Sequence, residues 1–159
     1  MSGYPLAPLA NIRTIRQDAA ERAVMAAETK LRHAKTEREA RAEKLERYRE
    51  RMVKEKEQKW TKIMGATMKM EGLDKFWVEL AEIDRREVSL EKDLMDAQKN
   101  ETLAQEATQK AKGDSLACHK ALEKLIKHRQ IWQAEVDKEN ARLEDLEAEE
   151  FKTPKKRLA

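Results

Sequence analysis

Aromatic side chains are scarce in this chain: three tryptophans, two tyrosines and two phenylalanines make up 4% of its 159 residues. So little large apolar surface excludes a thick globular core. Glycine occurs four times and proline three times, too few to punctuate many short elements or to build a phosphate-cradling loop. The single cysteine, Cys118, excludes an internal disulfide and fits a reducing compartment. No run of about 18 apolar residues is present, so no membrane span is expected. Near the start, Pro5 and Pro8 interrupt a short apolar stretch that no basic residue precedes, unlike a secretory signal. His33, His119 and His128 are scattered with no second histidine or cysteine at i+4, so neither a metal site nor a cofactor is expected.

Charge and helix-forming residues are abundant instead. Asp, Glu, Lys and Arg supply 41% of the chain, and with alanine and leucine they give a long-helix composition. From Leu80 to Glu150 one 3-4-3-4 series continues without a break: Leu80, Ile83, Glu87, Leu90, Leu94, Ala97, Glu101, Ala104, Thr108, Ala111, Ser115, Cys118, Leu122, Leu125, Arg129, Trp132, Val136, Glu139, Leu143, Leu146, Glu150. An average spacing of 3.5 residues keeps one stripe facing one partner helix, the coiled-coil pattern. A weaker stripe precedes it, through Leu9, Ile12, Ile15, Ala19, Ala23, Ala27, Leu31, Ala34, Arg38, Arg41, Leu45, Tyr48 and Met52 to Trp60 and Ile63. Four acid-to-base pairs at i,i+4 support it: Glu37–Arg41, Glu43–Arg47, Glu50–Lys54 and Glu55–Lys59.

Gly65 and Gly72 bracket the one lapse in the pattern. The spacing predicts an all-α protein of two long helices folded back as an antiparallel coiled-coil hairpin. Its parts are an extended leader over 1–8, helix one over about 9–64, a turn over about 65–74 with Asp74 as N-cap, helix two over about 75–150, and a flexible basic tail over 151–159. With the turn centred near residue 70, facing residue numbers add to about 142, pairing Tyr48 with Leu94, Leu45 with Ala97 and Leu31 with Ala111. A seam of this kind encloses no catalytic pocket, so an interaction protein is expected and an enzyme is not.

Two surfaces stand out. Trp60, Met64, Met68, Met70, Phe76, Trp77 and Leu80 collect around the turn. Adjacent helical residues diverge by about 100°, so Phe76 and Trp77 cannot both enter the seam and at least one is expected at the surface. Such a cluster serves either as a local core or as an adaptable binding face. At the other end of the series, Val136, Leu143 and Leu146 outrun the start of helix one. Their stripe is either covered by the leader or kept for another protein. Eight acids lie between residues 135 and 150 against Lys138 and Arg142, which suits a basic rim. Helix one is basic overall, 16 Lys and Arg against 10 acids over residues 11–62. Its charges alternate, however, and no aromatic ladder suits base stacking, so nucleic acid is not an expected partner.

The opening Tyr4-Pro5-Leu6-Ala7-Pro8-Leu9-Ala10-Asn11-Ile12-Arg13, with Arg16 and Ala20-Glu21 after it, resembles the start of the type III secretion proteins of the YscO (SctO) family. The total length and the charged hairpin are similar too, and the flagellar relative FliJ shares the hairpin. The resemblance implies a cytoplasmic, non-enzymatic central stalk beneath a bacterial export apparatus, peripheral to the inner membrane and similar to the γ subunit of rotary ATP synthases. It implies contacts with the hexameric secretion ATPase at the terminal end (Leu9, Ile12, Arg13, Arg16, Val136, Leu143, Leu146) and with the export gate at the hairpin tip (Phe76, Trp77, Leu80). Binding of the chaperones of secreted substrates is implied as well. A generic coiled-coil scaffold, or a stalk of another assembly, remains the competing reading. Mass in solution separates the two, because a hairpin needs no partner and is expected as a free monomer.

Overall fold

The structure, a computed structural model, describes residues 3–65 and 70–157, with side chains as far as Lys152. Two helices account for nearly all of it: α1 over Ala7–Met64 and α2 over Met70–Arg157. They pack against each other as an all-α helical hairpin, and no strand occurs among the described residues.

Helix boundaries differ from expectation at three places. Helix α1 begins at Ala7 rather than after Pro8, its first turn closed by the Ala10 amide donating to the Leu6 carbonyl at 2.9 Å. Proline in a first turn sacrifices only an amide that has no helical acceptor. Helix α2 begins at Met70, so Gly72 and Asp74 lie inside it and Asp74 is no N-cap. Only Gly65 marks a helix end, its amide donating to the Thr61 carbonyl at 3.2 Å. The remainder of the expected turn, residues 66–69 with Met68 among them, lies outside the described residues. At the other end the backbone stays helical to Arg157 instead of stopping at 150. Lysine and arginine in this segment favour helix, whereas Pro154 removes one amide donor from it. The side chains of the basic cluster Lys155, Lys156 and Arg157 lie outside the described residues.

The chain divides into two units, residues 25–110 and residues 1–24 with 111–159. In the first of these, every α2 seam position from Leu80 to Thr108 is buried or half-buried, as the series predicts. Leu45, Tyr48, Phe76, Ile83, Ala97 and Thr108 are the best shielded. The register is corrected: bonded cross-helix pairs have numbers adding to between 131 (Tyr48 with Ile83) and 140 (Lys56 with Asp84), not 142. The physical reason is the shorter turn, since Gly72 joins the helix rather than the connection. Side chains then pin the register. The Tyr48 hydroxyl donates to the Ile83 carbonyl at 2.8 Å, and Arg41 donates to the Asp93 carbonyl at 2.9 Å. Thr108 shares its hydroxyl proton between the Ala104 carbonyl (2.8 Å) and the Ala27 carbonyl (3.3 Å). Arg38 pairs with Glu101, and Arg49 bridges Glu87 (2.8 Å) and Glu91 (2.5 Å). Those two carboxylates hold the Arg49 guanidinium proton more tightly than usual. Of the four expected i,i+4 pairs, Glu37–Arg41 and Glu43–Arg47 form, whereas Lys59 reaches across to Glu79 rather than back to Glu55.

In the other unit the α1 stripe has a different phase from the expected one. Ile12, Ile15, Ala19 and Ala23 are exposed, and Ala10, Arg13, Gln17, Ala20 and Val24 turn inward. This series keeps the same 3-4 spacing. It was hidden because two of its members are polar. Arg13 enters by donating to the Ala121 carbonyl at 2.8 Å. Gln17 is only 8% exposed, and its amide nitrogen donates to Glu21 at 3.0 Å. Its carbonyl oxygen has no hydrogen-bond partner. An unsatisfied buried acceptor costs about 1–3 kcal/mol, and leucine has nearly the same volume. Gln17→Leu is therefore expected to raise the unfolding free energy by about 1 kcal/mol. Urea denaturation followed by circular dichroism measures it, and a loss of stability would show that the oxygen is satisfied in solution.

Candidate partner-binding surfaces

No group of three or more metal-ligating side chains occurs among the described residues. No described helix is long and apolar enough to cross a membrane. Exposed apolar side chains occur along both helices, and two groups of them stand out.

The first lies beside the turn. Phe76 is 5% exposed and sits under two indoles: Trp60 at 5.2 Å between centroids and Trp77 at 5.6 Å, both edge-on. Trp60 and Trp77 themselves meet at 6.3 Å and 88°. Edge-to-face contacts of this kind add about 0.5–1.5 kcal/mol beyond burial, so the three rings hold one another in place. Trp77 is 53% exposed and Trp60 44%, with Met64, Met70, Leu73 and Val78 also open to solvent. One of the pair Phe76 and Trp77 is thus at the surface, as the 100° argument requires. Phe76 supports the face from beneath, and Leu80 is half-buried on the seam. The sequence pattern missed Trp60 as a surface residue because it was counted in the stripe. Half-buried Lys59 and Ile63 occupy the inward positions on either side of it. Placing Lys59 in the seam required knowing its partner.

That partner is Glu79, 2.9 Å from the Lys59 ammonium. The hydrogen bond from Lys59, then its charge, with Lys75 and Lys62 adding, holds the Glu79 carboxyl below the usual carboxylate range. A depressed folded value means that the contribution is present at neutral pH and is lost as pH falls through that lowered value. For an exposed pair the stabilisation is small, so the titration is the better readout. Carbon-13 NMR of Glu79 in Lys59→Met is expected to show its midpoint rising toward the ordinary value. An unmoved midpoint would show that the pair does not form.

The second surface belongs to the unit of residues 1–24 and 111–159. Of the residues expected to face a partner there, Ile12, Arg16, Leu143 and Leu146 are exposed and Val136 is half-buried. Leu9 and Arg13 are engaged within the hairpin instead, because the α1 phase turns them inward. Ile15, outside the expected set, adds an exposed aliphatic one turn from Ile12. The leader contributes Tyr4, whose ring is 6% exposed against α2. Its hydroxyl is hydrogen-bonded to His128 Nδ1 at 2.6 Å, and its ring lies 5.4 Å from Trp132. The leader therefore covers the stripe as far as Trp132, and Leu143 and Leu146 remain open. Exposed acids flank them, with Glu139 paired to Arg142 at 2.7 Å.

These features define an all-α helical hairpin with exposed apolar groups in each of its two units. The model of the family described as type III secretion protein YscO matches residues 6–154, nearly the whole chain. The chain belongs to that family, and its function lies within a type III secretion system. No curated protein and no solved structure matches it.

Proposed function

We propose that this chain is the non-enzymatic central stalk of an injectisome export apparatus, joining the hexameric secretion ATPase to the export gate. The observation that supports the reading is a group of exposed apolar side chains in each of the two units. One lies beside the turn (Trp60, Trp77, Leu73, Met64) and the other at the free helix ends (Ile12, Ile15, Val136, Leu143, Leu146). A monomeric hairpin has no internal use for either. The turn face is assigned to the gate and the terminal face to the ATPase, whose opening would present basic groups to the acidic 135–150 segment. Phe76 and Leu80 support the gate face from within, and Leu9 and Arg13 do the same for the terminal face, with Arg16 at its edge. Binding of substrate chaperones, and a site of action in the bacterial cytoplasm against the inner membrane, belong to the same proposal.

The mechanism is coupling by position. A paired-helix stalk fixed in both partners makes nucleotide turnover in the ring felt at the gate, and it needs no nucleotide site of its own. Titrating the purified chain against the secretion ATPase of its own system, with hydrolysis rate and complex mass followed together, tests this. Stimulated turnover at one chain per hexamer is the expected result. A stable free dimer that ignores the ATPase would overturn the proposal and favour a generic scaffold.

A further inference from the structure

The α2 stripe past Leu125 passes through Arg129, Trp132, Val136, Glu139, Leu143 and Leu146, and α1, which starts at Ala7, leaves most of it without a helical neighbour. One side chain covers its first part: Tyr4. The phenol ring is wedged against His128 (5.8 Å) and Trp132 (5.4 Å), with the Arg129 guanidinium over it at 5.8 Å. Its backbone is bonded only locally, the Ala7 amide donating to the Tyr4 carbonyl at 3.1 Å. No backbone hydrogen bond joins the described leader residues to α2. Among the described leader residues Tyr4 is the one buried side chain, an attachment that can be exchanged without unfolding a helix.

The stretch left open is short. On the stripe itself Val136, Leu143 and Leu146 give a docking helix three apolar contacts, and the next position is Glu150, with exposed Phe151 beside it. The stripe itself offers a docking helix more buried area back over Trp132 and Arg129. Tryptophan and arginine are the side chains that most often carry interface energy. Tyr4 already occupies that ground.

We infer that Tyr4 is a displaceable clasp: it occupies the cradle of His128, Arg129 and Trp132 until an amphipathic helix with basic flanks, docking along Val136–Leu146, evicts it. This rests on the reading that the terminal face binds the ATPase, which supplies that helix. The clasp keeps Trp132 covered in the free chain and sets a threshold that only a partner matching both parts of the stripe passes.

Full-length Tyr4→Ala and Tyr4→Phe chains, titrated against the hexameric ATPase, test the clasp. Helix content is checked by circular dichroism. Removing the ring frees the cradle, so Tyr4→Ala is expected to bind about tenfold more tightly than the parent chain, with Tyr4→Phe in between. Equal or weaker binding of Tyr4→Ala would overturn the clasp while leaving the terminal assignment standing. No binding by any of the three chains would remove that assignment, and the clasp with it. Dimerisation of Tyr4→Ala without a gain for the ATPase would give the cradle to a second copy and equally overturn the proposal.

Discussion

Replacing Trp77 by alanine is expected to cut binding to the gate by about 30-fold or more and to stop secretion, while the hairpin stays folded. An anchoring tryptophan at the centre of a contact face costs at least about 2 kcal/mol when truncated. Trp77 is half exposed in the free chain and surrenders little burial there. Phe76→Ala should behave in the opposite way. Its ring is 5% exposed beneath both indoles, and emptying such a site costs about 3 kcal/mol or more of stability. Removing both residues at once would merge a lost contact with a collapsed support, so the single variants are the informative ones. Trp60→Ala should follow Trp77 in binding, since the two indoles meet at 6.3 Å. Gate binding measured alongside thermal unfolding separates the cases. A Trp77→Ala chain that secretes normally would detach this face from the gate.

The second large effect is expected at the free helix ends. Leu143→Glu with Leu146→Glu should weaken ATPase binding about 100-fold and leave the melting temperature of the free chain within a degree or two. Both leucines are nearly half exposed, so the isolated chain loses little by their removal. Glutamate is almost as good a helix former as leucine. In a complex each leucine would bury enough surface for about 1.5 kcal/mol, and two together give about two powers of ten. Isothermal titration with the ATPase reads the loss. Unchanged affinity would mean that the open stripe serves another partner.

The fold was legible because helix two keeps its seam without a break, and each position from Leu80 to Leu125 is turned inward. Helix one was legible only where its inward residues are apolar. Between Ala10 and Val24 the seam passes through Arg13 and Gln17, and a pattern built on hydrophobicity followed Ile12, Ile15, Ala19 and Ala23 onto the outer face. An arginine can be inward when its head finds a carbonyl across the interface, here that of Ala121, and the acceptor is invisible in a one-dimensional pattern. The register was misjudged through Gly72, because glycine near a helix start is as acceptable as glycine in a turn. At the aromatic face the 100° rule required one of Phe76 and Trp77 to be outside. Which one, and that Trp60 joins it, depended on how the two helices meet.

Four side chains (Arg13, Arg41, Tyr48 and Thr108) bond main-chain carbonyls of the opposite helix. A carbonyl belongs to the helix itself and is present whatever residue occupies that position. Ala121, Asp93, Ile83 and Ala27 can therefore change in ways that respect local packing without unlocking the alignment. Sliding one helix lengthwise over the other would strain such bonds together rather than one after another, so a push on one helix is resisted as shear. Within each unit, a lengthwise load on one helix is then shared with its neighbour instead of being lost as slip.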